Sequence, residues 1–525
     1  MNLIAWTTSI MMMAVWLWPI PSTAQEISVP GQTSLAEIEE IELVYTGNQS
    51  APKIIVRGRQ PANPFVVSSY RPPDLRLDLF SLTSAGTSIG LCQAQQDGFK
   101  APFRIRLVGN GTSPCGFAWS LQTTNKRFDA LSFHRLRVRG TSSNPLAIVL
   151  VAKSADREQD SAVVGHVTGR FEVEFPLAPS AHTLDLRQLT QVQLLAENDA
   201  DVLLDEIVWL TREPTIHPTR SIGFWYWDYR SAIRNPAEML STCRQHHCRR
   251  LMLQMPDLKD SDQVWAAYAA LFASTRAAGI ELFALDEAPD MIDTPIILSE
   301  KLTRLLKLVG TSGLPGVQLD IEPYLLDGFP DDGTIFDRYL STIERVKAAF
   351  GDRGRLSVVI PFWFTSTVHR SRPLAFAVMD RADEVAVMSY RTDVHELTAI
   401  SEDTLRYGFL TGIPVWLGME TTRLLPERHV ILKREMNPTL ADGMLDPVRR
   451  IFALGNAAPA DLRGQGQLWF RIHHHTTVRP ERLSFADRTR REVRLAINQV
   501  FARIPTPSLS GLLIHDLPGY LGLQE

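Results

Sequence analysis

Two rhythms of hydrophobic and polar residues divide the 525-residue chain. From about Glu26 to Pro214, short runs alternate apolar and polar side chains with a period of two, the mark of strands with one buried face. Lys53–Val56, Leu75–Leu79, Arg135–Arg139, Ala147–Val151, Phe171–Phe175 and Val202–Trp209 are such runs, and no long helical pattern interrupts them. Their regular spacing predicts an all-β sandwich, jelly-roll-like, over residues 26–214. From Ser221 onward the rhythm changes to strand, then helix, repeated. Strands are expected at Ile222–Trp227, Arg250–Gln254, Glu281–Leu285, Gly316–Glu322, Leu356–Phe362, Glu384–Tyr390, Pro414–Glu420 and Gly511–His515. Helical periodicity falls between them at Gln263–Ala278, Glu300–Val309, Ile335–Phe350, Glu396–Thr411 and Asp487–Ala502. Eight such repeats predict an α/β domain, a (β/α)8 TIM barrel spanning 221–525. The stretch near 423–480 is longer than a barrel connection needs. It is expected as an insertion near the active face, with an extra strand at Gln467–Ile472.

The strand bodies are apolar, and polar and aromatic residues gather at their C-terminal ends. These are Trp227-Asp228-Tyr229-Arg230, Gln254, Asp286-Glu287, Asp320 with Glu322, Trp363, Tyr390-Arg391, Glu420 and His515-Asp516. In a (β/α)8 barrel that rim carries the chemistry. Aromatics can stack on sugar rings while carboxylates, amides and Arg bind hydroxyls. Trp227, Asp228, Gln254, Asp286, Trp363, Arg391 and Asp516 are therefore candidate substrate-binding residues. Gly316–Tyr324 is the most informative segment. It sets Gln318, Asp320 and Glu322 on one strand face, and Pro323 ends the ladder. Neighbouring carboxylates repel unless one holds a proton, which is how a general acid stays protonated near neutral pH. The expectation is a glycoside hydrolase acting on a polysaccharide or oligosaccharide, with Glu322 as general acid/base. A competing scheme uses Glu420, at the end of strand seven, as a nucleophile. The structural alternative pairs Glu420 with Arg391 or Arg230.

Composition narrows this. Net charge is 54 − 58 = −4 without a Lys/Arg-rich run, so nucleic acid is not an expected partner. Leu3 to Ile20 is almost wholly apolar and Ser22-Thr23-Ala24 supplies small residues for cleavage. That predicts a signal peptide over 1–24 and a secreted or periplasmic protein, with no membrane contact after cleavage. Because Met1-Asn2 carries no basic residue, an uncleaved anchor is the alternative. Four cysteines behind a signal fit an oxidising compartment, and sequence proximity predicts disulfides Cys92–Cys115 and Cys243–Cys248. The Cys-x-x-His-His-Cys spacing has no second half, so zinc is not expected there. His473-His474-His475 reads as a solvated run and Asp327, Asp331 and Asp332 as a solvated turn. No metal and no cofactor is expected.

On strands four and six the chain resembles the chitinase-like glycoside hydrolases of family 18. Their fourth strand carries Asp-Gly-x-Asp-x-Asp-x-Glu; here Gly316, Asp320 and Glu322 match, while Pro315 and Gln318 replace the earlier aspartates. Their sixth-strand Met-x-Tyr is present as Met388-Ser389-Tyr390. The resemblance implies that Glu322 protonates the leaving oxygen. It also implies that Asp320 orients a substrate 2-acetamido group whose carbonyl oxygen attacks, and that Tyr390 hydrogen-bonds that group. Residues 128–210 resemble a carbohydrate-binding jelly roll of the kind appended to glycosidases, through His134–Gly140, Asn144–Leu150 and Val202–Trp209. Such a module needs exposed aromatics, Trp119 being the main candidate; the alternative is a structural spacer packed on the next domain. Two rival readings of the whole chain remain: a non-catalytic carbohydrate-binding protein on a degenerate barrel, and a metal-dependent hydrolase such as a polysaccharide deacetylase.

Overall fold

A computed structural model describes residues 24–26, 38–47, 52–58, 76–79, 86–90, 93–97, 102–109, 114–121, 128–154, 159–211, 220–310, 313–326, 329, 332–446, 449, 451–454 and 467–525. Residues 1–23 of the expected signal peptide and Cys92, Asp327 and Asp331 lie outside these. The chain divides into two compact units, one of residues 1–59 with 426–478, the other of 60–425 with 479–525.

The first unit is a seven-stranded antiparallel sheet. In spatial order its strands are Ala24–Glu26, Ile451–Leu454, Gly443–Asp446, Leu468–Val478, Glu427–Glu435, Ile38–Thr46 and Lys53–Gly58. Alternation along these strands buries Ile38, Ile41, Leu43, Val430, Leu432, Phe452 and Phe470 in one core. The expected 26–214 and 423–480 boundaries are thus corrected. Residues 40–46 pair with residues 427–433 of the late segment, and the two share one sheet core. His473, His474 and His475 stand exposed on its 468–478 strand.

In the second unit, residues 76–210 form a nine-stranded antiparallel sheet. Its spine is Arg135–Lys153, a single strand where two short ones are expected. The register explains why one strand can carry a proline. Residues 135–142 pair with Ala200–Leu210, residues 146–152 pair with Leu189–Ala196, and Pro145 falls at the exchange, where no ladder N–H is needed. Trp119 and Trp209 are fully buried, and Phe103, Phe117, Phe128, Phe133, Phe171 and Phe175 are buried beside them. Trp119 is therefore a core residue. The sheet is joined to the rest of the unit by buried charge: Arg406 donates to both oxygens of Asp129 at 2.8 and 2.9 Å, and Arg187 donates to Asp403 at 2.6 Å.

Eight parallel strands close into a barrel: β1 Ser221–Tyr226, β2 Cys248–Gln254, β3 Glu281–Glu287, β4 Gly316–Asp320, β5 Arg355–Pro361, β6 Glu384–Met388, β7 Val415–Glu420 and β8 Leu509–His515. Trp225, Met252, Phe283, Leu285, Val359, Ala386, Trp416 and Leu513 fill its interior. Large and small residues complement each other. A Cβ on Gly316 would stand 2.1 Å from the Phe283 ring, and one on Gly511 would stand 2.3 Å from Trp416. The N-terminal end is sealed by Arg250, sandwiched between Phe283 and Trp416 and donating to Glu281 at 2.6 Å and Glu384 at 2.5 Å. With the bottom plugged, the C-terminal rim is the open end.

Candidate active site

Strand alternation decides which rim residues face inward. On β4, Gly316, Gln318 and Asp320 point to the axis. Gln318 is fully buried, accepting from Trp225 Nε1 at 2.6 Å and donating to Ser357 Oγ at 3.0 Å. A neutral amide fits there because it serves a donor and an acceptor at once. Asp320 ends the strand, two residues earlier than expected, and Glu322 immediately precedes the short turn Pro323–Leu325. That turn brings Tyr324 back so that its hydroxyl donates to Glu322 Oε1. Beyond it, Tyr324 and Trp363 make an aromatic wall with ring centroids 5.3 Å apart.

Asp320 lies beside Glu287 in the β3–β4 register. Its Oδ1 is buried without a hydrogen-bond partner. Burial and the charges of Glu322 and Glu287 push its pKa up to about 8, with His515 opposing. Burial, then Glu322 and Asp286, also raise the Glu287 pKa. The Tyr390 hydroxyl is held protonated by burial and by Glu420, Asp320 and Glu322. The ring of Tyr390 lies against Gly418, where a Cβ would be 3.0 Å from its edge. These residues thus share one end of the barrel, and the Asp320 carboxyl group holds a proton near neutral pH, which a site that donates protons to a leaving group requires.

Glu420 does something else. It is 2 % exposed, its Oε1 accepts from Thr422 N and Oγ1 at 2.6 and 2.7 Å, and its Oε2 lies 2.9 Å from His515 Nδ1. His515 Nε2 accepts the Trp227 indole N–H at 2.9 Å. An indole nitrogen only donates, so the imidazole proton sits on Nδ1, facing Glu420. Burial pulls the His515 pKa down, but the hydrogen bond and charge of Glu420, with Asp516 and Asp320, outweigh it and raise it. Both Glu420 oxygens are occupied, so the residue is placed as the support of His515. It pairs with neither Arg391 nor Arg230.

Of the expected binding residues, the structure brings Trp227 and Trp363 to the mouth, and the β2 alternation that points Met252 to the axis points Gln254 there too. Asp286 is a correction: it faces the helix layer, where Lys301 Nζ lies 2.8 Å from it. Asp228 accepts from Ser231 N and Oγ as a helix N-cap, and Asp516 caps the last helix through Gly519 N at 2.8 Å. Arg391 donates to its neighbouring carbonyl at 2.7 Å and lies over Phe362. Glu287 and His515, named at the rim, and Tyr324, named in the segment after β4, were not selected as site residues by the sequence reasoning. For Glu287 the signal was present, since alternation through Phe283 and Leu285 selects it over Asp286. Cys115 is disulfide-bonded. Cys243 and Cys248 are a correction: they are buried free thiols, their sulfurs 2.6 Å apart, rather than a disulfide. Asp332 caps a helix through Thr334 N at 2.9 Å. Among the described residues no group of three or more His, Cys, Asp or Glu is arranged to hold a metal.

No family model matches the chain, and no curated protein matches it. Solved structures do. A chitinase from Bacteroides thetaiotaomicron is 11% identical over 57% of this chain and 90% of its own, with a TM-score of 0.32. The spore cortex-lytic enzyme SleL of Bacillus cereus is 10% identical over 59% of this chain and 73% of its own, also with a TM-score of 0.32. A family 11 carbohydrate-binding module from Clostridium thermocellum, in complex with a mixed-linked tetrasaccharide, is 12% identical over 24% of this chain and 88% of its own, with a TM-score of 0.19. The chain is similar to chitinase structures and to a carbohydrate-binding module, at low identity.

Proposed function

We propose that the protein is a glycoside hydrolase acting on a polysaccharide or oligosaccharide, with Glu322 as the general acid. The observation that carries this reading is the protonated, unpartnered Asp320 carboxyl group beside Glu322 in an open barrel mouth. The proton held by Asp320 can pass to Glu322 for delivery to a glycosidic oxygen, and be replaced from water. Tyr324 orients Glu322 through its hydroxyl, and Trp363 and Trp227 supply faces for sugar rings. Glu420 is engaged by Thr422 and His515, which disfavours it as the attacking group. A route in which the substrate's own 2-acetamido carbonyl attacks, oriented by Asp320 and Tyr390, needs no protein nucleophile and suits this mouth better. The apolar leader further suggests export, and the sandwich-like 76–210 region acts as a packed spacer, since its described aromatics are internal.

The test is release of reducing ends from polymers of N-acetylated and of neutral sugars by the purified protein and by Glu322→Gln. Turnover of an N-acetylated polymer that the variant loses supports the proposal. Turnover that survives the variant removes Glu322 from the chemistry. Binding without cleavage by the parent protein would favour the carbohydrate-binding rival.

A further inference from the structure

At the opposite end of the barrel from the carboxylates lies a cavity of about 380 Å³, between the starts of β1 and β2, residues 278–280 ahead of β3, and Phe501. Arg220, Arg244, His247 and Arg249 line it, and no carboxylate does. Three arginines around one space repel one another, and nothing among the described residues neutralises them. Arg220 is partly buried and spends its donors on the carbonyls of Phe501, Ile504 and Thr506, dipoles and not charges. Arg244 sits in the last turn of the helix Pro236–Gln245, where the helix dipole favours a cation. No such reason applies to Arg249, which stands exposed at the start of β2, its guanidinium 3.9 Å from the Cβ position of Gly279. His247 completes the wall from a tight turn with φ of 56°, a conformation that costs a non-glycine residue energy and that tends to persist where it serves a site.

We propose that this cavity is a second binding site, for an oxyanion carried by a ligand the size of a single sugar. Its volume falls within the range of small-molecule pockets. Guanidinium groups on separate elements match the planar forks of phosphoryl and carboxylate groups, and the apolar floor of Ile222, Ile280 and Phe501 would take a ring. Two sources share this chemistry: a sugar phosphate and a uronic acid. The site is independent of the glycosidase reading, since it lies at the other rim and uses none of the residues named there.

The experiment is calorimetric titration of the purified protein with inorganic phosphate and, separately, with glucuronate, at matched low ionic strength with chloride as control. Saturable one-site binding is expected, weakened at least about tenfold in the Arg244→Gln/Arg249→Gln double variant. Both side chains are exposed, so the variant should fold, and an unchanged Tm checks it. Arg249→Lys should weaken binding less than Arg249→Gln, and Glu322→Gln should leave it unchanged. Tighter binding of phosphate assigns the phosphoryl source, and tighter binding of glucuronate assigns the carboxylate source. No saturable binding of either ligand, or binding that survives the double variant, overturns the proposal.

Discussion

Asp320 is held protonated up to about pH 8, whereas an ordinary aspartate titrates near 3.8. That difference is a statement about stability. Between these two values the folded protein binds a proton that the unfolded chain does not, so stability falls as pH rises, by about 1.4 kcal/mol per unit. The direction follows from a raised carboxyl pKa: the folded state is favoured at low pH and penalised above the unfolded value. At pH 7 the penalty has accumulated over 7 − 3.8 = 3.2 units, or about 4 kcal/mol. Water entry and side-chain relaxation around the mouth reduce it, so on the order of 3 kcal/mol is expected. Asp320→Asn keeps the shape of the side chain and cannot ionise. The variant should match the parent near pH 4 and gain stability over it steadily toward pH 8, while losing turnover. Urea unfolding at half-unit steps of pH reads this difference directly. A stability difference that does not change with pH, or a variant less stable than the parent at pH 7, would mean that Asp320 is ionised and paired, and the argument from its proton would fail.

Other perturbations test the remaining links. Glu322→Gln should lower kcat about 10²–10⁴-fold with KM little changed, measured by steady-state kinetics on a substrate the parent turns over. Glu420→Gln turns a donor toward the Nδ1–H of His515, forcing a tautomer change that sets Nε2–H against the Trp227 N–H. A loss of about 1–3 kcal/mol and an altered tryptophan emission are expected, and unchanged values for both would contradict the assigned tautomer. Arg406→Met leaves Asp129, 1 % exposed, without its bidentate partner; a loss of about 3–5 kcal/mol in urea unfolding is expected, and one below about 1 would make this contact incidental. Gly316→Ala drives a Cβ into the Phe283 ring and the Arg355 carbonyl at 2.5 Å, and should lower Tm sharply or abolish soluble expression.

Much of the architecture follows from period alone. The two- and 3.6-residue rhythms located all eight barrel strands to within a few residues, because each strand lies between the axis and a helix layer and must be apolar on both sides. The same alternation carried Asp320 and Glu322 to the rim, since a carboxylate pair between apolar runs has no other wet place to go. Where the sequence reading went by residue type instead of by alternation, it failed. Asp286 was chosen over Glu287, and Asp228 and Asp516 were read as ligands although both cap helices.

The sequence by itself therefore determined the closed parallel barrel and the arrival of Asp320 and Glu322 at the end of its fourth strand, both of them consequences of local periodicity. Tertiary structure decided three things that no local pattern encodes. The strand Ile38–Thr46 pairs with a segment nearly 400 residues later, because its hydrophobic face needs a partner and period two does not say which one. Glu420 is locked by Thr422 and His515, whose meeting depends on β7 and β8 lying side by side. The proton on Asp320 arises from burial at the strand end, with the charges of Glu322 and then of Glu287, its neighbour in the strand register, adding to it.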